Sequence, residues 1–243
     1  MKPKPKKQQL PVSWSFLLVP FATVFVSLAF FALGCAVRGN PGPHLRERGI
    51  DDIRAFALFV YGIGNGILIL ILRILLKRKC LSLHDVGFRK CEMGRLLGYA
   101  AATTTAAFLL YPTIEYLVGL CGLPMYWNPE QSTPVSKSSV LSLLFIFFGA
   151  VVLAPLGEET VFRGYLFSML RSRTRVPVAA LVSSLLFAAV HLPFFGPGFA
   201  VYIVPWSLLS CLLIIRLHSL YPSLVFHLTN NLIAYMILPW LTA

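Results

Sequence analysis

The chain has 243 residues, 57% of them hydrophobic and only 12% charged, about half the charge of an ordinary soluble domain. That composition excludes a soluble globular protein and describes a polytopic membrane protein. A formal net charge of +12 suggests nucleic acid at first sight, but the basic residues lie beside apolar runs, where they set topology or hold anionic lipid head groups. The lipid bilayer is the expected partner and no nucleic acid is.

In chain order, residues 1–12 form a basic tail with Lys2, Lys4, Lys6 and Lys7, expected in the cytosol. An apolar run over 13–37 follows. Its Ala32-Leu33-Gly34-Cys35 loosely resembles a lipoprotein cleavage site, but a cleaved signal has an apolar core of only about 7–15 residues. A first spanning helix is predicted instead. A second is predicted over 55–76, and a third over 96–120, interrupted by Pro112 and containing Glu115. The basic connector 77–95 between them is predicted to lie in the cytosol. Residues 13–137 thus form three N-terminal helices with their loops, and residues 138–243 a second bundle. In it, helices are predicted over 138–170, 176–192, 199–217 and 223–240, with a Pro/Gly loop at 193–198.

The fold class is therefore all-α, a membrane helix bundle of about seven transmembrane helices. With the N-terminus inside, inner segments hold fourteen basic residues and outer loops five, so a cytosolic N-terminus is expected. The four arginines of the first outer loop oppose that assignment. The location is the cell inner membrane if the source is bacterial and the endoplasmic reticulum membrane if it is eukaryotic. Cys35, Cys80, Cys91, Cys121 and Cys211 have no CxxC spacing, so neither a zinc site nor a disulfide framework is implied. Leu241-Thr242-Ala243 is no CaaX box, and prenylation of the chain by that route is not expected.

One stretch breaks the apolar pattern. Glu158, Glu159 and Arg163 lie inside the fourth predicted helix, where ionisable groups face a bundle interior and carry function. Glu159 and Arg163 are four apart and can pair on one face, while Glu158 points about 100° away. The plain alternative is an ion pair that only holds helices together. Two further helices carry polar residues: Phe187-xxx-His191, then His227-xxx-Asn231. A lone membrane histidine is ordinarily a helix-to-helix hydrogen bond. Counted from the nearest predicted cytosolic turn, however, Glu158, His191 and Asn231 all lie about 20–24 Å along their helices, with His227 about one turn shallower. Neutral packing does not need that coincidence.

Glu158-Glu159-xxx-Arg163, Phe187-xxx-His191 and His227-xxx-Asn231, in this order, resemble the three motifs of the CPBP family of intramembrane proteases. That family includes the type II CAAX prenyl endopeptidases and the bacteriocin-processing or immunity (Abi) proteins. Ser219-Leu220-Tyr221-Pro222-Ser223 also looks familial, and the resemblance covers residues 138–235. Prenyl endopeptidases of the family are described with eight helices, which makes eight the alternative count. The resemblance implies an endopeptidase acting on a membrane-associated protein or peptide, prenylated or a peptide precursor.

Peptide hydrolysis needs an activated water, an oxyanion donor and a proton for the leaving amine. Glu158 and His191 can hold one water between them, and His227 and Asn231 can donate to the oxyanion. The resemblance implies the same division of roles, with Glu159 and Arg163 supporting Glu158 and with Phe187 beside the site. Two histidines and two glutamates can also bind zinc, but HExxH is absent, as are GxGD and GxSG. No cofactor is expected, with zinc the minority alternative. Glu159 is expected to face away, held by Arg163, and few acceptors are visible for the second nitrogen of each histidine. Two other classes remain. One is a transporter or channel using the polar cluster as an ion path, although inverted repeats are not visible. The other is a non-catalytic immunity or scaffold member of the same family.

Overall fold

The computed structural model describes residues 50–125 and 139–241, with the single positions 10, 22, 25 and 29. Among these residues every regular element is helical. They are α1 (Ile50–Arg78), a short 3-10 turn (Leu83–Val86), α2 (Met93–Leu120), α3 (Val140–Arg171), α4 (Val176–Leu217) and α5 (Tyr221–Leu241). By length and composition α1, α3, α4 and α5 can each cross a membrane. The all-α membrane bundle expected from the sequence is the architecture observed. The described residues hold five helical stretches, of which α4 is two helices joined at a kink. The predicted first helix over 13–37, the basic tail and most of the loop before α3 lie outside the described residues.

One predicted interruption is corrected and another is narrowed. Pro112 does not break α2, which runs through it. The break expected at 193–198 is present but narrow: α4 is two helices that meet at a sharp kink, where Gly196 alone leaves helical dihedrals, at φ 80° and ψ 169°. A proline removes one backbone donor and kinks a helix without ending it, and Gly196 takes a positive φ at no steric cost. The donor freed at the bend is used: Gly198 N–H bonds Pro124 O at 3.0 Å, so the end of α2 caps the kink.

The two faces of α1 show which environment each meets. Ile63, Ile67, Leu70, Ile71 and Ile74 are exposed, whereas Leu68, Leu72 and Leu76 are buried. In water the first set would be an aggregation surface; in a bilayer it meets lipid. α3 is central and packs against α1, α4 and α5, and α2 packs against α4 and α5. Its N-terminus is capped by Ser139, whose Oγ accepts from Ser142 N at 3.1 Å.

Two π-helical segments, Phe147–Leu153 and Glu159–Phe167, interrupt α3 before Glu158 and from Glu159 onward. Such wide turns occur mostly as short insertions at functional sites. At the first of them α1 and α3 touch backbone to backbone. A Cβ added to Gly62 would lie 2.6 Å from Gly149 Cα. That approach brings the next turns of α1 onto the glutamates.

Candidate active site

Glu159 is fully buried and completely engaged. Its Oε1 lies 3.3 Å from Arg163 Nη1 and 2.9 Å from His227 Nδ1, and Ser223 Oγ donates to its Oε2. The expected Glu159–Arg163 pair is present. The expectation that Glu159 faces away from the histidines is corrected: it holds His227. Arg163 is also fully buried. Its Nη2 donates to Ser207 Oγ at 2.9 Å, Ser207 donates onward to Ser184 at 2.8 Å, and its guanidinium lies 3.8 Å from the Phe187 ring centroid. Phe187 thus lies beside the site as a platform for the cation, 4.6 Å from the His191 ring and 6.1 Å from the His227 ring between centroids. A buried charge is tolerated only when paired and hydrogen-bonded, and this network, crossing α3, α4 and α5, does both.

Glu158 is set differently. Tyr61 Oη on α1 donates to its Oε1 at 2.6 Å. Its Oε2 lies 3.7 Å from His227 Nε2, an ion-pair separation too long for a hydrogen bond. His227 therefore stands between the two carboxylates, one ring nitrogen towards each. A carboxylate oxygen accepts, so Nδ1 carries the proton shared with Glu159, and Nε2 faces Glu158. Trp206 packs edge-on to the ring at 4.7 Å.

His191 lies within electrostatic reach of Glu158 and His227. Its Nδ1 is 2.7 Å from Phe187 O. A carbonyl can only accept, so Nδ1 holds the proton and Nε2 of the neutral ring offers a lone pair. Both histidines thus have an acceptor for Nδ1, which corrects the expectation that few were available. Asn231 Nδ2 donates to Ala150 O at 2.9 Å, in the first π segment of α3. Asn230 bridges Trp206 Nε1, at 3.1 Å, to Asn231 Oδ1, at 3.3 Å. Among the described residues no group of three His, Cys, Asp or Glu side chains is arranged to hold a metal ion.

The structure thus gathers Glu158, Glu159, Arg163, Phe187, His191, His227 and Asn231 in one cluster. Glu115 is not part of it; its Oε1 accepts from Tyr111 Oη at 3.3 Å on α2. Sequence reasoning missed Tyr61, Ser184, Ser207 and Trp206. Tyr61 sits in an apolar helix with no motif around it. The serines look like helix surface until the fold buries them. Ser223 was legible only as part of the Ser219-to-Ser223 phrase.

Residues 140–233 match the model of the family described as type II CAAX prenyl endopeptidase Rce1-like. The chain is 35% identical over 99 residues to UPF0177 protein YxdF of Lactococcus lactis, covering 40% of this chain and 51% of that protein. It is 48% identical over 54 residues to the Uncharacterized 24.3 kDa protein of Escherichia coli, covering 21% and 23%. The chain therefore spans about half the length of the first relative and less of the second. No solved structure matches it. Every motif residue from Glu158 to Asn231 falls inside the matched span, and Tyr61 falls outside it. With its glutamates on α3 and its histidines on α4 and α5, the segment 140–233 is similar to the Rce1-like family of type II CAAX prenyl endopeptidases.

Proposed function

We propose that the chain is an intramembrane endopeptidase of the glutamic, CPBP type. It hydrolyses a peptide bond in a membrane-associated protein or peptide, prenylated or a precursor. The observation that carries the reading is the position of His227, bound to Glu159 at 2.9 Å and 3.7 Å from Glu158. An ion pair serving packing alone has no use for an imidazole between two carboxylates.

In this reading Glu158, with His191, takes a proton from a water. The resulting hydroxide attacks the scissile carbonyl carbon. Negative charge develops on the carbonyl oxygen, which His227, in this reading an imidazolium with a proton on each ring nitrogen, stabilises through Nε2–H together with the second amide proton of Asn231, each contributing about 3–4 kcal/mol. Glu159 supports His227 as donor by holding its Nδ1–H. The tetrahedral intermediate collapses, the C–N bond breaks, and Glu158 returns its proton to the leaving amine. Tyr61 holds Glu158 in the attacking orientation. The water is activated by a carboxylate, so the reaction needs no metal. The N-terminus lies in the cytosol, which reporter fusions after Lys79 and at the C-terminus check.

Incubating the purified protein with a library of membrane peptides, with and without chelator, tests the activity. Cleavage that survives chelation supports it. Zinc at one equivalent with chelator-reversible activity would make the protein a metalloprotease. No cleavage, together with proton or ion flux in liposomes, would favour a transporter.

A further inference from the structure

α1 and α3 end, and α4 turns into α5, around a second polar cleft. It is lined by Asp85, Arg89, Ser168, Arg171, Ile214 and His218. Arg171 lies thirteen residues along α3 from Glu158, about 20 Å away, and the cleft shares no residue with the candidate active site. Its charges are unbalanced. Arg89 Nε donates to His84 O at 3.1 Å, which leaves both Nη groups without an acceptor among the described residues. Arg171 rests over the Phe167 ring at 5.6 Å and donates no hydrogen bond to a described residue. Neither meets a carboxylate within salt-bridge distance among the described residues. Both are half-buried, and each feels the other's charge.

The nearby Arg173 shows the contrast. Its Nη1 donates to Met169 O and Ser172 Oγ, both at 2.9 Å, and its Nη2 to Leu10 O at 2.6 Å. The acid in the cleft, Asp85, is turned to its own turn, its Oδ2 accepting from Ser82 N at 2.8 Å and Ser82 Oγ at 2.9 Å. Ser168 Oγ has no partner among the described residues.

Two guanidinium groups, a hydroxyl and an imidazole therefore converge, and the one acid among them, Asp85, pairs with neither arginine. Like charges held together are unfavourable unless an anion joins them, and the guanidinium fork matches phosphate oxygens. We propose that this cleft binds a phosphate oxyanion, and that its occupant in the membrane is the head group of an anionic phospholipid. The position favours lipid. The cleft lies where the spanning helices end, at head-group level, and Phe88 and Tyr221 pack edge-on at 5.9 Å beside it, as aromatic residues do at an interface.

The test titrates the full chain, in neutral detergent, with short-chain phosphatidylglycerol, short-chain phosphatidylcholine and inorganic phosphate, reading Kd from thermal stabilisation. Phosphatidylglycerol is expected to bind, and Arg89→Gln/Arg171→Gln to weaken it about 30-fold through the loss of two charge-assisted contacts. Lys77→Gln/Lys79→Gln removes equal charge from exposed positions of the same end and is expected to change Kd less than about twofold. If the double arginine variant does not fold, Arg171→Lys and Ser168→Ala are each expected to weaken binding about fivefold. Binding of inorganic phosphate lost in the same variants assigns the site to the phosphate group itself, and binding of the lipid alone assigns it to the whole head group. Equal Kd values in wild type and the arginine variants, or phosphatidylcholine bound as tightly, would overturn the proposal.

Discussion

Glu158 and Glu159 are neighbours in sequence, yet they belong to two differently built regions. On the Glu159 side the carboxylate is fully met: Arg163, Ser223 and His227 reach it, and Ser207 and Ser184 extend the network from Arg163 to α4. On the Glu158 side one oxygen is held by Tyr61 and the other stops 3.7 Å from His227, while His191 keeps an uncommitted nitrogen. The first region satisfies its own charges and fixes α3, α4 and α5 to one another. The second leaves atoms uncommitted, which in the proposed function meet a water and a peptide, and its carboxylate is bonded from α1 by Tyr61. A fully bonded carboxylate suits a structural network, and the less fully bonded Glu158 is the one that the proposed function assigns to the water.

Substitutions on the two sides should therefore fail in different ways. The largest effect is expected at Glu158→Ala and His191→Ala, which lower hydrolysis by about 10²–10⁴-fold, the range for a lost general base, with a thermal midpoint close to wild type. Turnover at the wild-type rate by either folded variant would break the comparison. Next comes Glu159→Ala, which leaves Arg163 buried and unpaired and is expected to cost about 3–5 kcal/mol of stability. Thermal or denaturant unfolding in detergent checks it. A midpoint like that of Glu158→Ala would erase the distinction between the two sides.

His227→Ala and Asn231→Ala are expected to reduce kcat about 10²-fold with little change in KM, because an oxyanion donor acts in the transition state. A rise in KM alone would move that residue to substrate binding. The smallest effect is expected at Tyr61→Phe, which removes one donor to Glu158 and should reduce kcat/KM about tenfold without destabilising the chain. This last variant sharpens the comparison, because it reaches the reacting side from a helix outside the family match.

The sequence disclosed what depends on periodicity and on one helix at a time. Long apolar runs gave the spanning segments, and a spacing of four gave Glu159–Arg163. The break at Gly196 was legible as a Pro/Gly stretch, but its extent was not, because proline and glycine signal a break equally well whether the chain forms a loop or kinks at one residue. Nor was the reach from Glu159 to His227 legible. It depends on the π segment that begins at Glu159 and on how α5 packs, neither of which leaves a local signal. Tyr61 was hidden for the same reason: its partner is ninety-seven positions away, brought near by the contact between Gly62 and Gly149.

The central claim is that Glu158 activates water directly. Single-turnover cleavage of a membrane peptide, in excess chelator, by wild type and by Glu158→Gln tests it most closely, since the amide keeps the shape and removes the base. The account predicts full cleavage by wild type and none by a Glu158→Gln variant of unchanged thermal midpoint. Cleavage by that variant at the wild-type rate, or loss of wild-type cleavage on chelation, would contradict it.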